Sequence, residues 1–243
     1  MIARTIRLFH SLAGAEDKGR WVENKVAWRR FRARSPREHI INQAFDRRHG
    51  TETAEEIPLA QTGVPLEDAA RGNGIYRPMW ESEFHAALAA LDICFRGFTF
   101  VDLGSGKGKV LMLASEYPFA RIVGVEYSPG LHAIAQRNVA RYRSPTQLCN
   151  VLQPVLGDAQ HYRLPDGPIV CFIFNAFDPG TMQKVMQNIE DDLGSRAVPG
   201  YVIYANVRTV SEIENGFGTV KKLRRAVTTR KLVVFSNAAA QAL

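Results

Sequence analysis

Asp102, Gly104, Gly106 and Gly108 stand at alternate positions where the apolar, β-rich run 98–103 meets a segment with helical period. That segment places Val110, Leu111, Leu113 and Ala114 on its apolar positions. A strand that feeds a glycine-rich turn into a helix shapes a nucleotide-type pocket, because glycine takes φ > 0 and admits a ligand where a Cβ would clash. Several cofactor families use such a turn. A dinucleotide fingerprint asks for G-x-G-x-x-G, but Lys109 occupies the last glycine position and Gly108 comes one residue early. A phosphate-binding P-loop asks for Ser or Thr after Gly-Lys, and here Val110 follows Lys109. The pattern that remains is D-x-G-x-G-x-G, with Ser105 inside it.

Three further strand ends carry polar residues able to bind. The run 121-RIVGVEYS-128 alternates and is β-branched, so it reads as the next buried strand. It ends in Glu126 and Tyr127, and Glu126 lies twenty residues past Gly106. An acid at that position can accept hydrogen bonds from both hydroxyls of a ribose. The same acid can cap the helix expected from Ser128-Pro129, and the two roles are compatible. A short strand ends in Gly157-Asp158-Ala159, a combination also common in plain turns. The apolar run 169–174 reads as a central parallel strand and ends in Asn175-Ala176-Phe177-Asp178-Pro179.

The D-x-G-x-G-x-G pattern, followed in order by these strand ends, resembles the class I S-adenosylmethionine-dependent methyltransferases. The resemblance covers roughly residues 75–236. It implies S-adenosyl-L-methionine as cofactor, with Gly104, Ser105, Gly106 and Gly108 against its methionine part and Asp102 near its ammonium. It further implies that Glu126, beside Tyr127, holds the ribose, and that Asp158 and Ala159 meet the adenine. The segment 175–178 is similar to the Asn-Pro-Pro-Tyr/Phe motif of amino-group methyltransferases, whose Asn and aromatic ring position the target amine. It departs from that motif by Ala176 in place of the first Pro and by an early Phe177. Asn175 and Phe177 therefore read as catalytic positioners or, equally, as a residue satisfying strand-end backbone and a core aromatic.

Tyr76-Arg77-Pro78, a helix and F-V-D-L-G-S-G together resemble a narrower group. Protein-lysine methyltransferases of the mitochondrial ATP-synthase-subunit type carry Tyr-x-Pro-Thr before a similar motif, and histone methyltransferases of the telomeric-silencing type share F-V-D-L-G-S-G. In these the upstream segment covers the cofactor, which implies that Tyr76 closes the pocket. Met79 stands where the Thr would be.

The chain has 243 residues and is 46% hydrophobic, enough for one sizeable core with an extension. The expected division is a basic, mostly helical extension and loop over 1–75 and a methyltransferase domain over 76–243. Residues 1–50 hold 12 Lys and Arg against 5 Asp and Glu, while the rest of the chain holds 19 of each. The net charge of +7 is thus that of the first fifth, densest at 29-RRFRARSPR-37. That tract suits a polyanionic partner or a solvated helix folded over the domain. No apolar run approaches a membrane span and no secretory segment is recognised. Three widely spaced cysteines, with no C-x-x-C or H-E-x-x-H, fit a reducing cytoplasm and suggest no metal site.

Helices are expected over 2–12, 17–34, 38–47 and 80–91, with a long loop over 49–78. Strands are expected over 98–103, 121–126, 154–157, 169–175 and 201–207, alternating with helices over 107–117, 130–142 and 179–192. Two closing strands, 217–226 and 230–236, suggest a hairpin. Alternating β and α elements imply a parallel sheet with helices on both faces. The resemblance sharpens this to a Rossmann-like, doubly wound α/β fold, its seven strands ordered 3-2-1-4-5-7-6 with strand 7 antiparallel. The expected activity is methyl transfer to a protein or small-molecule acceptor, an amine nitrogen being favoured. The alternatives are a non-catalytic module binding S-adenosylmethionine, RNA or protein, and an NAD(P)-dependent oxidoreductase.

Overall fold

The computed structural model describes residues 36–71, 74–205, 217, 220–229 and 231–242. The helices expected over 2–12 and 17–34, and most of the basic tract, lie outside the described residues. The chain divides after Ile41 into two compact units. Of the first, only residues 36–41 are described, and they are helical. The second unit, residues 42–243, holds everything else below.

Seven strands form the sheet: β1 (Thr99–Leu103), β2 (Arg121–Glu126), β3 (Leu152–Leu156), β4 (Ile169–Phe174), β5 (Gly200–Ala205), β6 (Arg224–Thr228) and β7 (Leu232–Ser236). Their order across the sheet is β3-β2-β1-β4-β5-β7-β6, as expected. β1 to β5 run parallel, and β7 is antiparallel to both β5 and β6.

Among the described residues the α-helices are α1 (Pro36–His49), α2 (Leu66–Arg71), α3 (Glu81–Ala89), α4 (Lys109–Ala114), α5 (Pro129–Arg141) and α6 (Pro179–Leu193). Successive strand residues face opposite sides, so the sheet feeds two cores. Phe100, Val170 and Phe172 join Phe84, Leu88 and Leu111 on one side, while Val101, Ile173 and Val202 join Met182, Val185 and Ile189 on the other.

β1 has β2 on one flank and β4 on the other, so the strand order reverses there. The carboxyl ends of the strands open into a crevice at such a switch point.

Several boundaries differ from expectation. The stretch 49–78 is not a plain loop. It contains α2, a 3-10 turn over Leu59–Gln61 and a two-residue ribbon in which Ile57 pairs with Tyr76 and Pro58 with Ile75. Leu59 N–H also donates to Gly74 O, which closes the ribbon. α4 starts two residues later than expected because Gly108, at φ 79, is its left-handed N-cap, and it ends at Ala114 with Ser115 as C-cap. β3 starts two residues early, at Leu152, and absorbs Pro154; an edge strand tolerates proline's missing N–H. β6 begins only at Arg224, because residues 221–223 spend their N–H groups on the Glu190 carboxylate instead of a ladder.

Candidate functional site

A cavity of about 410 Å³ opens at the carboxyl ends of β1 to β4. From the end of β1 and the turn after it, Asp102, Gly104, Ser105 and Gly106 line it. Glu126 and Tyr127 come from the end of β2, Asp158 and Ala159 from beyond β3, and Asn175 and Phe177 from beyond β4. Tyr76 closes one wall. Of the residues expected to hold the cofactor or acceptor, Gly108 alone does not line the cavity. A Cβ there would sit 3.2 Å from the Cβ of Ala135, so this glycine serves the approach of α5 to the turn.

The glycine turn is held by Glu126. Gly106 N–H donates to Glu126 Oε2 at 2.7 Å, and Ser128 N–H donates to Oε1 at 2.8 Å. The backbone of Tyr127 adds a third hydrogen bond to the carboxylate, which leaves about one of its four lone-pair sites. Burial pushes the Glu126 carboxyl above its usual range, against the hydrogen bonds from Ser128 and Gly106 that favour the charged form.

Asp102 is more extreme. It is 1% exposed, and its Oδ2 has no hydrogen-bond partner. Burial, and then the neighbouring charge of Glu126, hold its carboxyl well above the usual range. A buried carboxyl oxygen left unpaired beside a cavity is costly unless a ligand supplies a donor. Ser105 Oγ, three residues further on, is also buried and without a hydrogen-bond partner.

The glycines make room for protein as well as for ligand. A Cβ on Gly104, at φ 85, would meet the Ala176 Cβ at 2.4 Å and the Phe177 Cζ at 3.7 Å. A Cβ on Gly106, at φ 54, would meet the Tyr76 ring at 2.4 Å. Tyr76 is thus pressed on the backbone of the turn, and its hydroxyl donates to Thr53 O at 3.1 Å.

Two buried lysines brace this region, and sequence reasoning, which expects lysine at the surface, missed both. Lys107 Nζ donates to Glu55 O at 2.7 Å and lies 5.0 Å from the Tyr76 ring centroid. Lys109 Nζ donates to Asn42 Oδ1 at 2.6 Å and lies 4.8 Å from the Phe45 ring centroid, and burial lowers its pKa to about 8. Asn138 on α5 completes the brace. Its amide donates to Lys107 O, and its side-chain oxygen accepts from Glu52 N–H. Asp46 on α1 fixes the next turn by accepting from Thr53 and Ala54 N–H and from the Thr51 and Thr53 hydroxyls.

Past β4, Asn175 has φ 45, the one left-handed non-glycine among the described residues. The strand therefore ends at Phe174, not at Asn175 as expected. Asp178, which has no counterpart in the amine motif, is the N-cap of α6. It accepts from Gly180 and Thr181 N–H and from the Thr181 hydroxyl at 2.6 Å. Phe177 packs against the α6 core and also lines the cavity. Asp158 is half-buried and accepts from Gln160 N–H at 2.9 Å. Tyr127 is exposed at the rim, and its hydroxyl donates to Asp68 Oδ2 on α2 at 3.0 Å.

Comparison with known proteins bears on the same stretch. Residues 101–192 match the methyltransferase domain family. Over 71 residues the chain is 38% identical to the release factor glutamine methyltransferase of Geobacter sulfurreducens, an overlap of 28% of this chain and 25% of that protein. The match thus spans about a quarter of that relative's length. Similar solved structures include an RNA methyltransferase from Salinibacter ruber in complex with S-adenosyl-L-homocysteine, 19% identical with a TM-score of 0.46 over 65% of this chain and 91% of that one. A SAM-dependent methyltransferase from Aquifex aeolicus is 12% identical, with a TM-score of 0.45 over 66% of this chain and 98% of that one.

Proposed function

We propose that this chain, whose residues 101–192 match the methyltransferase domain family, transfers the methyl group of S-adenosylmethionine to a nucleophilic acceptor. The observation that carries the reading is the unpaired, buried Oδ2 of Asp102 beside a glycine turn clamped by Glu126. That oxygen suits a cationic donor such as the cofactor's ammonium. Glu126 retains about one lone-pair site for a ribose hydroxyl, Asp158 and Ala159 take the adenine edge, and Tyr76 walls in the methionine part. The residues present therefore fit the cofactor.

When bound, S-adenosylmethionine supplies an electrophilic sulfonium methyl group. The chain's own task is to align an acceptor lone pair with it and to exclude water. Asn175 and Phe177 do this from the rim of β4, the amide accepting from the acceptor and the ring enclosing it. An amine, of a protein lysine or a small molecule, suits an amide acceptor best. The working unit takes in residues 42–75 along with 76–243, since Asn42, Thr53 and Glu55 hold the lysines and the tyrosine that back the turn. Among the described residues no helix is long and apolar enough to cross a membrane. We place the protein in a reducing cytoplasm, where Cys94, Cys149 and Cys171 stay as free thiols.

The test is a transfer assay with methyl-labelled cofactor against protein, RNA and metabolite fractions. The parent should label at least one fraction. Asn175→Ala should keep its cofactor affinity and lose most of its turnover, the signature of acceptor alignment. A parent that binds the cofactor yet labels nothing would favour a non-catalytic binding module.

A further inference from the structure

The net charge of the chain hides a second basic segment. From residue 215 to the C-terminus there are six Lys and Arg and no Asp or Glu. The middle of the chain, 51–214, holds 13 basic and 19 acidic residues and masks that segment in any sum taken after residue 50.

The fold gathers most of these cations at one place. Glu190, buried on α6, accepts the N–H groups of Lys221 and Lys222 on one carboxylate oxygen. The backbone is thereby pinned while both side chains remain exposed. Arg224 and Arg225 follow at once on β6, the edge strand, and are also exposed. Arg225 lies 5.8 Å over the Phe235 ring. None of these four cations has an acidic partner among the described residues. Lys231, by contrast, is paired with Glu83 at 2.6 Å.

Arg224 pairs with Ser236, which pairs with Tyr201 at the start of β5. The cluster therefore sits at the end of the sheet opposite the cavity.

We infer that this cluster is a docking surface for the phosphate backbone of a nucleic acid. Long cationic side chains on a pinned backbone suit a row of phosphates, which need charge and reach but no shaped pocket. An acidic peptide adding to the edge as an eighth strand would need a regular ladder, and β6 is irregular between Arg225 and Val227. A lipid surface would attract these cations by only about 1 kcal/mol each, and stable anchoring takes a second, apolar signal that the exposed neighbours on β6, Ala226 and Thr228, do not supply.

The experiment measures binding of a fluorescently labelled single-stranded RNA across a salt series. The partner protein is a variant with Lys221, Lys222, Arg224 and Arg225 all changed to serine, checked for unchanged S-adenosylmethionine binding. Each phosphate neutralised adds about 0.7 to the salt slope on a single strand. The parent's slope should exceed the variant's by two to three, roughly, with at least a tenfold difference in affinity at low salt. A charge-keeping variant, Arg224→Lys with Arg225→Lys, should bind like the parent, and it covers the case where bare serines leave the edge prone to aggregate. Equal affinities and slopes for parent and serine variant would overturn the proposal. So would competition by poly-glutamate as effective as by unlabelled RNA, which would point to an acidic protein.

Discussion

Gly106 N–H donates to the carboxylate of Glu126 at 2.7 Å, so the acid at the end of β2 is itself the clamp on the glycine turn. The ribose role and the structural role fall on one side chain. Glu126→Gln exchanges one acceptor oxygen for an NH₂ group and leaves a buried N–H, of Gly106 or Ser128, unpaired. A loss of about 1–3 kcal/mol follows. Thermal stability and cofactor affinity should fall together, the latter by roughly tenfold or more. Melting curves and calorimetry check this; a variant that loses affinity at unchanged stability would leave only the ribose role.

The contact of Tyr76 with Gly106 gives a second prediction. Gly106→Ala places a methyl 2.4 Å from the ring and at φ 54, so it should cost about 1–3 kcal/mol from overpacking with further backbone strain. Tyr76→Ala removes the ring. The double variant should recover part of the Gly106→Ala loss, with a coupling of about 1 kcal/mol or more in chemical denaturation. Purely additive losses would mean that the ring does not rest on the turn.

Asp102 predicts the pH dependence of binding. Its folded-state pKa is raised, by burial first and then by Glu126. Without ligand, the stability contributed by the protonated form is present below the ordinary carboxyl pKa. It is lost as pH rises through the raised value. A cationic ligand needs the carboxylate, so affinity should rise with pH across the same window, and binding should release a proton. Calorimetry in buffers of different ionisation enthalpy reads that proton directly. Asp102→Asn should abolish the release, weaken binding and stabilise the ligand-free protein at neutral pH. Proton release unchanged in that variant would assign it to another group.

The strand ends were legible because each apolar run stops at a polar residue. Glu126 and Asn175 mark β2 and β4 in that way, while Asp102 lies one residue inside the end of β1 and Asp158 two residues beyond the end of β3, and all four line the cavity. What closes the cavity was less legible. α2 spans six residues, too few to display a helical period, and it lies between glycines that signal turns. Lys107 and Lys109 are buried by partners at Glu55 and Asn42, more than fifty residues away, which local pattern does not reveal. Ala176 looked like a defect in an amine motif, yet it packs on Gly104, where the turn leaves no room for a Cβ. The basic edge at β6 is hidden in the composition, because 19 acidic residues elsewhere in 51–243 cancel it.

The most direct test of the central claim is a calorimetric titration of the full chain with S-adenosylmethionine, S-adenosylhomocysteine and NADH in turn. The account predicts that the first two bind one to one and compete, and that NADH gives no heat of binding. Saturable NADH binding with no response to either adenosyl compound would contradict it and make the glycine turn a dinucleotide site.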